Sequence, residues 1–277
     1  MPDRIGLVTD FGSKAGYVAS MKGVILSICE DCSIIDLSHD ISPQNVVEAA
    51  FFLDNCCLYF PEGFIFLIVV DPGVGTDRKT ICIKTKMKNQ YFVAPDNGVL
   101  DLVIQEQGIS EAISLDKKDF WRDTISHTFH GRDIMAPIAA HVAKDIDLTN
   151  LGSRIQPDDI ASLVLPPECK SIGNKLEGHV LYVDIFGNVI TNIKEEDFMG
   201  FELNIGNPFL FQIHDEDKLI KTVTAPFQQF YSEVDINEYL CLFNSENRFE
   251  LAINQGNAAK SLNIIDGFPK ITIKPIE

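Results

Sequence analysis

The sequence predicts two domains: an α/β domain with a mostly parallel sheet flanked by helices, then a smaller all-β domain resembling a barrel or sandwich. The first half alternates short apolar runs with segments of helical apolar spacing, a pattern typical of parallel sheets with crossover helices. The second half contains mainly short strand-like runs, as in small barrels and sandwiches. The 277 residues, 45% of them hydrophobic, are enough to bury a substantial core.

The first domain begins with a β-α-β-α-β succession. Ser42-Pro43 marks the start of the second helix, whose apolar face includes Val46, Val47, Ala50, Phe51 and Leu53. The predicted elements, in order, are strand 4–9, helix 16–29, strand 33–37, the second helix, strands 64–70, 80–85 and 91–94, a turn at 95–98, and helices from 99 to about 106 and over 133–143.

A change of composition marks the domain boundary. Residues 163–178 read LVLPPECKSIGNKLEG, where prolines and charges interrupt the periodicity. We therefore predict an α/β domain over 1–165, a linker over 166–177 and a β-rich domain over 178–277. The candidate strands of this second domain are 179–183, 189–193, 209–213, 219–223, 239–243 and 249–253.

The charge balance excludes some partners. Forty acidic against 23 basic side chains give a formal net charge of −17, which repels phosphate backbones and anionic membrane surfaces. We expect no nucleic-acid or membrane partner. No run of 18 apolar residues is present, and the amino terminus lacks a leader pattern, so a soluble, cytoplasmic protein is expected.

The seven cysteines lie scattered through apolar segments, which favours buried thiols over a disulfide framework. Cys29 and Cys32 have CxxC spacing, but a zinc site would need a second pair, and redox pairs usually open a helix. We expect no metal, and a structural role for these two cysteines and for His127.

Three polar segments carry the candidate chemistry: 8–12 (VTDFG), 66–78 (FLIVVDPGVGTDR) and 128–133 (TFHGRD). Asp10 and Asp71 each follow an apolar strand, where an open α/β sheet binds ligands, although aspartates there also cap helices or brace turns. Arg78 lies near enough to fold back onto Asp71, or it is a surface arginine. His130 precedes a helix, where a lone histidine is often structural. Together the segments predict a small-molecule site at one sheet edge.

Five segments in order, VTDFG, VVDPGVGT, APDNG, TFHGRD and DIFGN at 184–188, closely resemble the S-adenosyl-L-methionine hydroxide adenosyltransferases. These enzymes are relatives of the fluorinating and chlorinating enzymes that use the same compound. The resemblance implies that S-adenosyl-L-methionine and water give adenosine and L-methionine, with no cofactor because S-adenosyl-L-methionine is the substrate. It also implies a catalytic set of Asp71, Arg78 and His130.

Elementary chemistry agrees with that reaction. The sulfonium leaves as a neutral thioether, so departure needs neither a general acid nor a metal. Water is a weak nucleophile and must attack C5′ in line with the breaking C–S bond. Arg78 would favour hydroxide character in a bound water, while Asp71 and His130 would orient it and take up its proton.

The resemblance also implies that the domain over 1–165 is catalytic and that the domain over 178–277 covers the substrate, with specific contacts. Asp10 would hold the ribose hydroxyls, Asp184 the methionine ammonium, and Asn188 the adenine edge, with Phe186 stacked near adenine; alternatively 184–188 is only a tight turn. Further implied contacts are Ser245, Glu250 and Ile253. Alternatively, strand 249–253 serves only as barrel core, which would give the same sequence pattern.

His39 lies in a recurring family segment or has a structural role at a helix entry. The family implies a homotrimer with sites between one subunit's amino-terminal domain and its neighbour's carboxyl-terminal domain. Two other functions stay open: a halogenase with a halide in place of water, and a binding protein that senses adenosine or S-adenosyl-L-methionine without turnover.

Overall fold

The computed structural model describes residues 4–215, 218–264 and 267–276. The chain divides into two compact units, Met1–Val164 and Leu165–Glu277. The first unit has a hydrophobic core on each face of its sheet, and the second unit has a core of its own. Over the described residues, no helix is both long and apolar enough to cross a membrane.

The first unit is a sheet flanked by helices, which confirms the predicted α/β class. Its strands are β1 (Arg4–Thr9), β2 (Ser33–Ser38), β3 (Ile65–Val69), β4 (Thr80–Thr85), β5 (Tyr91–Pro95), β6 (Ile109–Ser114) and β7 (Ser153–Arg154). Its α-helices are α1 (Tyr17–Ile28), α2 (Val46–Cys56), α3 (Asp101–Gln107), α4 (Ala136–Ala143) and α5 (Leu148–Leu151). The strand order is β2-β1-β3-β5-β4-β6-β7.

This sheet is mixed. Strands β2, β1, β3 and β5 pair in parallel, whereas β4 pairs antiparallel with both β5 and β6, and β7 pairs antiparallel with β6. The connection over 86–90 between β4 and β5 explains the change of direction, because it is far too short for the crossover that parallel neighbours need. Ligand groups are therefore expected at the carboxyl ends of the parallel strands.

Strand β3 lies at the centre of the first unit and is buried throughout. Ile65, Leu67 and Val69 face the core under α1 and α4, while Phe66 and Ile68 face the core under α2 and α3. A strand covered on both faces is apolar at every position. The first polar side chain after this run is Asp71, which therefore marks the edge of both cores.

Helix α2 begins later than predicted. The sequence places its start at Ser42-Pro43, but the helix begins at Val46. The reason is the cap, because the Asn45 side chain accepts a hydrogen bond from the Glu48 backbone N–H at 3.0 Å. Residues before Asn45 are thus free to reach the end of β1.

Cys29 and Cys32 form a disulfide just after α1, so the expectation that the cysteines are thiols is wrong for this pair. Their Cα atoms are 5.5 Å apart, a separation that a disulfide spans readily. The remaining cysteines of the described chain are free thiols, at positions Cys56, Cys57, Cys82, Cys169 and Cys241.

The second unit is a barrel-like antiparallel sheet, as predicted. Its strands are β8 (Lys170–Ile172), β9 (Lys175–Val183), β10 (Val189–Lys194), β11 (Pro208–Asp215), β12 (Lys218–Pro226), β13 (Tyr239–Phe243), β14 (Arg248–Ile253) and β15 (Lys270–Pro275), with helix α6 at Ala258–Leu262. The order is β12-β11-β15-β9-β10-β14-β13, and β8 pairs with β9. A bridge between Phe227 and Cys241 joins the end of β12 to β13 and nearly closes the sheet.

Each of the six strands predicted here lies within an observed strand. Strand β15 was not predicted, and it occupies the middle of the sheet between β11 and β9. Segment 166–177, expected as a linker, contains β8 and the first residues of β9. The barrel interior is filled by large side chains, chiefly Phe209, Phe211 and Phe249.

Candidate active site

A nearly buried ion pair lies just beyond the end of β3. The Asp71 and Arg78 side chains are 5% and 10% exposed. Arg78 Nε donates to Asp71 Oδ1 at 2.7 Å, and Nη2 donates to the second carboxylate oxygen. Nη1 donates to Thr80 Oγ1 at 2.8 Å. Because the guanidinium is planar, this forked contact fixes both groups in orientation as well as distance.

The turn between these two residues is shaped by glycine. Gly75 has φ +82°, and a Cβ there would lie 2.7 Å from the His127 carbonyl oxygen. Thr76 tightens the same turn by donating its hydroxyl to the Gly73 carbonyl at 2.7 Å. Only glycine combines that backbone conformation with so close an approach. The turn therefore packs directly against the segment that leads to His130.

His130 contacts the ion pair through Arg78 Nη2, which lies 3.3 Å from Nδ1 of the imidazole. Guanidinium nitrogens only donate, so Nδ1 is the acceptor and a neutral ring carries its proton on Nε2. Burial, followed by the positive charge of Arg78, lowers the pKa of His130 below its usual value of 6.5. The ring is therefore uncharged at neutral pH.

The helix after His130 begins earlier than predicted, with a π-helical turn over Gly131–Met135 that runs into α4. A Cβ on Gly131 would lie 2.6 Å from Val69 Cγ1. The glycine thus lets the helix approach the last residue of β3 closely. π-turns are frequent at functional sites, and this one brings His130 to the carboxyl end of the sheet.

Asp133, fully buried, braces the loop before His130. Its carboxylate accepts hydrogen bonds from Arg132 Nε at 2.7 Å, Arg122 Nη1 at 2.9 Å and the Ser126 backbone N–H at 2.8 Å. Burial raises the pKa of this carboxyl, but the hydrogen bonds outweigh burial and hold the pKa below its usual value. An ionised Asp133 therefore ties the loop to the helix that carries His130.

Asp10 lies on the neighbouring strand at the same edge. The parallel register places Thr9 opposite Val69, so Asp10 and Asp71 follow strands that are only about 4.8 Å apart. Asp10 Oδ2 accepts the Gln44 backbone N–H at 2.8 Å. The rings of Phe11 and Phe129 meet edge to face at 5.6 Å. The three polar segments of the first half thus converge at one edge.

The second unit contains an open cavity of about 570 Å³, a volume typical of small-molecule sites. Its walls are mostly apolar, with a few polar groups that point to an oriented ligand. The lining residues are Asp184, Phe186, Asn188, Tyr231, Ile253, Gln255 and Gly256.

The turn at 184–188 is braced by its own aspartate. Asp184 Oδ1 accepts the backbone N–H groups of Phe186 and Asn188 at 2.9 and 2.8 Å, and Oδ2 accepts Asn188 Nδ2 at 2.9 Å. These three hydrogen bonds use three of about four acceptor positions on the Asp184 carboxylate. The segment is therefore a tight turn that also lines the cavity, and its contact with substrate stays a prediction. The bond to Asp184 also fixes which way the Asn188 amide points.

Glu250 lies behind the cavity wall and is 2% exposed. Its carboxylate accepts the Tyr231 hydroxyl at 2.8 Å, and Tyr231 itself lines the cavity. Burial, with the nearby Asp184 charge in support, raises the pKa of Glu250 to about 6. Glu250 thus contacts the wall through Tyr231, and Ser245 is exposed in the β13–β14 turn; neither is among the lining residues.

Sequence reasoning missed three residues of this cavity: Tyr231, Gln255 and Gly256. Tyr231 lies in a short 3₁₀ segment between two strands, a position with no periodic signal. Gln255 and Gly256 lie two and three residues beyond the predicted strand 249–253, so their proximity to Ile253 is the signal that could have indicated them. Ile253, Asn188, Phe186 and Asp184 were predicted and do line it.

Together these features define a class of small-molecule enzyme: an α/β unit with a buried Asp-Arg pair touching a histidine, followed by a β unit with a ligand-sized cavity. Over the described residues, no group of three or more His, Cys, Asp or Glu side chains is arranged to hold a metal ion.

The chain belongs to the SAM hydroxide adenosyltransferase family. Residues 5–152 match the family's N-terminal domain and residues 178–268 its C-terminal domain. An (R)-S-adenosyl-L-methionine hydrolase of Methanocaldococcus jannaschii is 36% identical over 95% of this chain and 92% of its own length. A fluorinase of Actinopolyspora mzabensis is 26% identical over 95% of this chain and 94% of its own.

Solved structures show the same fold. A crystal structure of an uncharacterized conserved protein from Thermotoga maritima superimposes with a TM-score of 0.87 at 37% identity, covering 98% of this chain and 99% of that one. A conserved hypothetical protein from Thermus thermophilus gives a TM-score of 0.74 at 28% identity, with 99% of both chains covered.

Proposed function

We propose that this protein hydrolyses S-adenosyl-L-methionine to adenosine and L-methionine. The observation that carries the proposal is the forked Asp71-Arg78 pair in contact with His130, since buried, mutually oriented polar groups are what activation of a water molecule requires. The hydrolases among the relatives support the same reaction, because they align with this chain over 95% of its length.

Arg78 supplies the positive field in the proposed mechanism. Its charge is fixed by the Asp71 fork and by Thr80, so it needs no reorganisation when negative charge develops on the attacking oxygen. A cation beside a bound water favours the hydroxide form of that water. Low exposure of the pair strengthens the effect, because little solvent screens it.

His130 acts as a donor in this mechanism, and Asp71 as the proton acceptor. Nδ1 of His130 is occupied by Arg78, which leaves Nε2–H to hold the water. The Arg78 fork uses two of about four acceptor positions on Asp71, so the carboxylate retains positions for a hydrogen of the water. The oxygen attacks C5′, the C–S bond breaks with its electron pair on sulfur, and the proton passes to Asp71.

The substrate contacts are proposed from position and chemistry. Asp10 accepts the ribose hydroxyls with the oxygen that Gln44 leaves free. Phe186 and Tyr231 supply aromatic faces for the adenine, and the fixed amide of Asn188 reads its edge. Asp184 keeps one acceptor position for the methionine ammonium. Ser245 and Glu250 were predicted as direct contacts. We assign Ser245 a weaker role and Glu250 an indirect one, through Tyr231.

The homotrimer with sites at subunit interfaces, and the cytoplasmic location, stay predictions. Analytical ultracentrifugation measures the first directly, and a mass three times that of the 30.9 kDa chain is the expected result. A monomer with full turnover would remove the requirement for a neighbouring subunit.

The decisive experiment is incubation with S-adenosyl-L-methionine in halide-free H₂¹⁸O, followed by chromatography and mass spectrometry. We expect adenosine carrying ¹⁸O on C5′ and an equal amount of unlabelled methionine. Both sulfonium epimers are tested, since the hydrolases among the relatives are named for the (R) form. Arg78→Gln should abolish turnover, whereas Lys79→Ala, the exposed neighbouring cation, should not.

Two other outcomes would overturn the proposal. A 5′-halogenated nucleoside formed only when chloride or fluoride is added would identify a halogenase, as the fluorinases among the relatives suggest. Bound and unchanged ligand would identify a sensor.

A further inference from the structure

A chain of hydrogen bonds runs from α1 to the end of β1, outside the groups assigned to the reaction. Lys22 Nζ donates to Asp36 Oδ2 at 2.6 Å, and Asp36 Oδ1 lies 2.9 Å from His39 Nε2. His39 Nδ1 lies 2.9 Å from the hydroxyl of Thr9. Thr9 is fully buried, and its neighbour is Asp10. The histidine is thus engaged at both ring nitrogens.

The direction of these bonds follows from chemistry. Burial raises the pKa of Asp36, but hydrogen bonds from Lys22 and His39 outweigh it and lower the pKa overall, so Asp36 is an ionised acceptor. His39 Nε2 therefore donates to Asp36, and in the tautomer that carries its proton on Nε2, Nδ1 accepts the Thr9 hydroxyl hydrogen. Thr9 Oγ1 in turn accepts the Phe11 backbone N–H at 3.3 Å.

The same histidine also holds the backbone beyond Asp10. Its carbonyl oxygen accepts the Gly12 N–H at 2.8 Å. The loop that continues from His39 returns at Gln44, whose N–H donates to the Asp10 carboxylate at 2.8 Å. Residues on both sides of Asp10 are therefore tied to His39, and one carboxylate oxygen is tied to the loop that follows it.

A bulge in β2 makes this arrangement possible. Leu7 pairs with Asp36 but Val8 pairs with Ser38, so Leu37 is an extra residue. Bulges turn the side chains that follow them and occur next to active sites. Strand β2 ends just past this register shift, and His39 follows with its Nδ1 2.9 Å from the Thr9 hydroxyl.

We infer that His39 is a positioning residue that sets the carboxylate of Asp10 for the ribose hydroxyls, acting through Thr9 and not by touching substrate. The inference rests on the proposed function, in which Asp10 binds the ribose. The inference makes one prediction that would not follow if His39 only stabilised the fold. Loss of His39 weakens ligands in proportion to their hydroxyls and leaves the adenine contribution unchanged.

The test compares adenosine with 2′,3′-dideoxyadenosine, which lacks both hydroxyls, by isothermal titration calorimetry. In the wild-type protein we expect adenosine to bind about 10- to 100-fold more tightly, the range for hydrogen bonds to a charged group. In His39→Leu the adenosine Kd should rise about tenfold, while the Kd for dideoxyadenosine changes less than about twofold.

Matched variants sharpen the result. His39→Asn keeps an acceptor for the Thr9 hydroxyl and should retain most of the discrimination. His141→Leu, which removes a partly buried histidine elsewhere in the same unit, should retain all of it. If His39→Leu fails to fold in a thermal melt, Thr9→Val removes only the hydroxyl link and carries the same expectation.

The outcomes separate the two levels of the argument. Equal weakening of both nucleosides by His39→Leu, or no change in either, would overturn the inference and leave the proposed function intact. A wild-type protein that binds both nucleosides equally would overturn the ribose role of Asp10 and the inference with it. A wild-type protein that binds neither would count against the proposed function itself.

Discussion

Asp71→Asn tests the ion pair at the end of β3, because it removes a charge and keeps the shape. Arg78 donates to both oxygens of the carboxylate. An amide offers oxygen on one side and NH₂ on the other, so one guanidinium N–H would face another donor. The Arg78 side chain is 10% exposed, so water cannot take the place of the missing acceptor.

The magnitude follows from that burial. Removing one partner of a buried ion pair costs about 3–5 kcal/mol. For roughly 150–250 residues, each kcal/mol lowers Tm by about 2–4 °C. The unfolding midpoint of the first unit should therefore fall by about 6–20 °C. Turnover should fall by about 10²- to 10⁴-fold, because the proton acceptor is gone.

Differential scanning calorimetry measures the first effect, and chromatographic assay of adenosine release measures the second. The double variant Asp71→Asn with Arg78→Gln is the matched control. It leaves no unpaired charge, so most of the stability should return while turnover stays low. A single variant that melts with the wild type would refute the buried pair, and wild-type turnover in the double variant would refute its chemical role.

Three further predictions concern the surroundings of the site. Gly131→Ala should cost about 1–3 kcal/mol in urea unfolding, since its Cβ would meet Val69 at 2.6 Å, whereas Gly16→Ala, with nothing within 4 Å, should be neutral. Asp133→Asn should lower the unfolding free energy by at least about 1.5–3 kcal/mol, the cost of one charge-assisted hydrogen bond, and an unchanged urea midpoint would contradict the bracing role. The pKa of Glu250 is raised from 4.5 to about 6 in the folded protein. Its contribution to the stability of the second unit is therefore fully present below pH 4.5, and the free energy of unfolding falls by about 1–2 kcal/mol as the pH rises through 6. Glu250→Gln should abolish this pH dependence.

The sequence predicts the first unit well where the signal is long and periodic. Strand β3 is an unbroken apolar run ending in Asp71, and that run alone indicates a strand covered on both faces. Helix starts are less predictable, because they depend on local contacts. The Asn45 cap begins α2 later than Ser42-Pro43 implies, and the π-turn begins the helix after His130 at Gly131, before the predicted residue 133.

The candidate site divides in the same way. Arg78 folds back on Asp71 within a seven-residue turn, a contact that short-range geometry can anticipate. Tyr231 and Glu250 meet only because the nearly closed sheet brings a 3₁₀ segment next to β14, so no local pattern reveals the pair. The CxxC spacing of Cys29 and Cys32 is evident in the sequence, but spacing alone does not distinguish two free thiols from the disulfide that they form.

The central position of β3 links loss of activity on heating to global unfolding of the first unit. Its alternating side chains belong to two cores, so its amide protons exchange with solvent only when both layers separate together, at a free energy close to that of global unfolding of the first unit. Asp71 lies two residues beyond the end of this strand. His130 lies beside the strand because the next residue, Gly131, packs closely against Val69. Local breathing of peripheral loops therefore leaves the reacting groups in place. Heat inactivation and the loss of slowly exchanging deuterium in β3 should occur at one temperature.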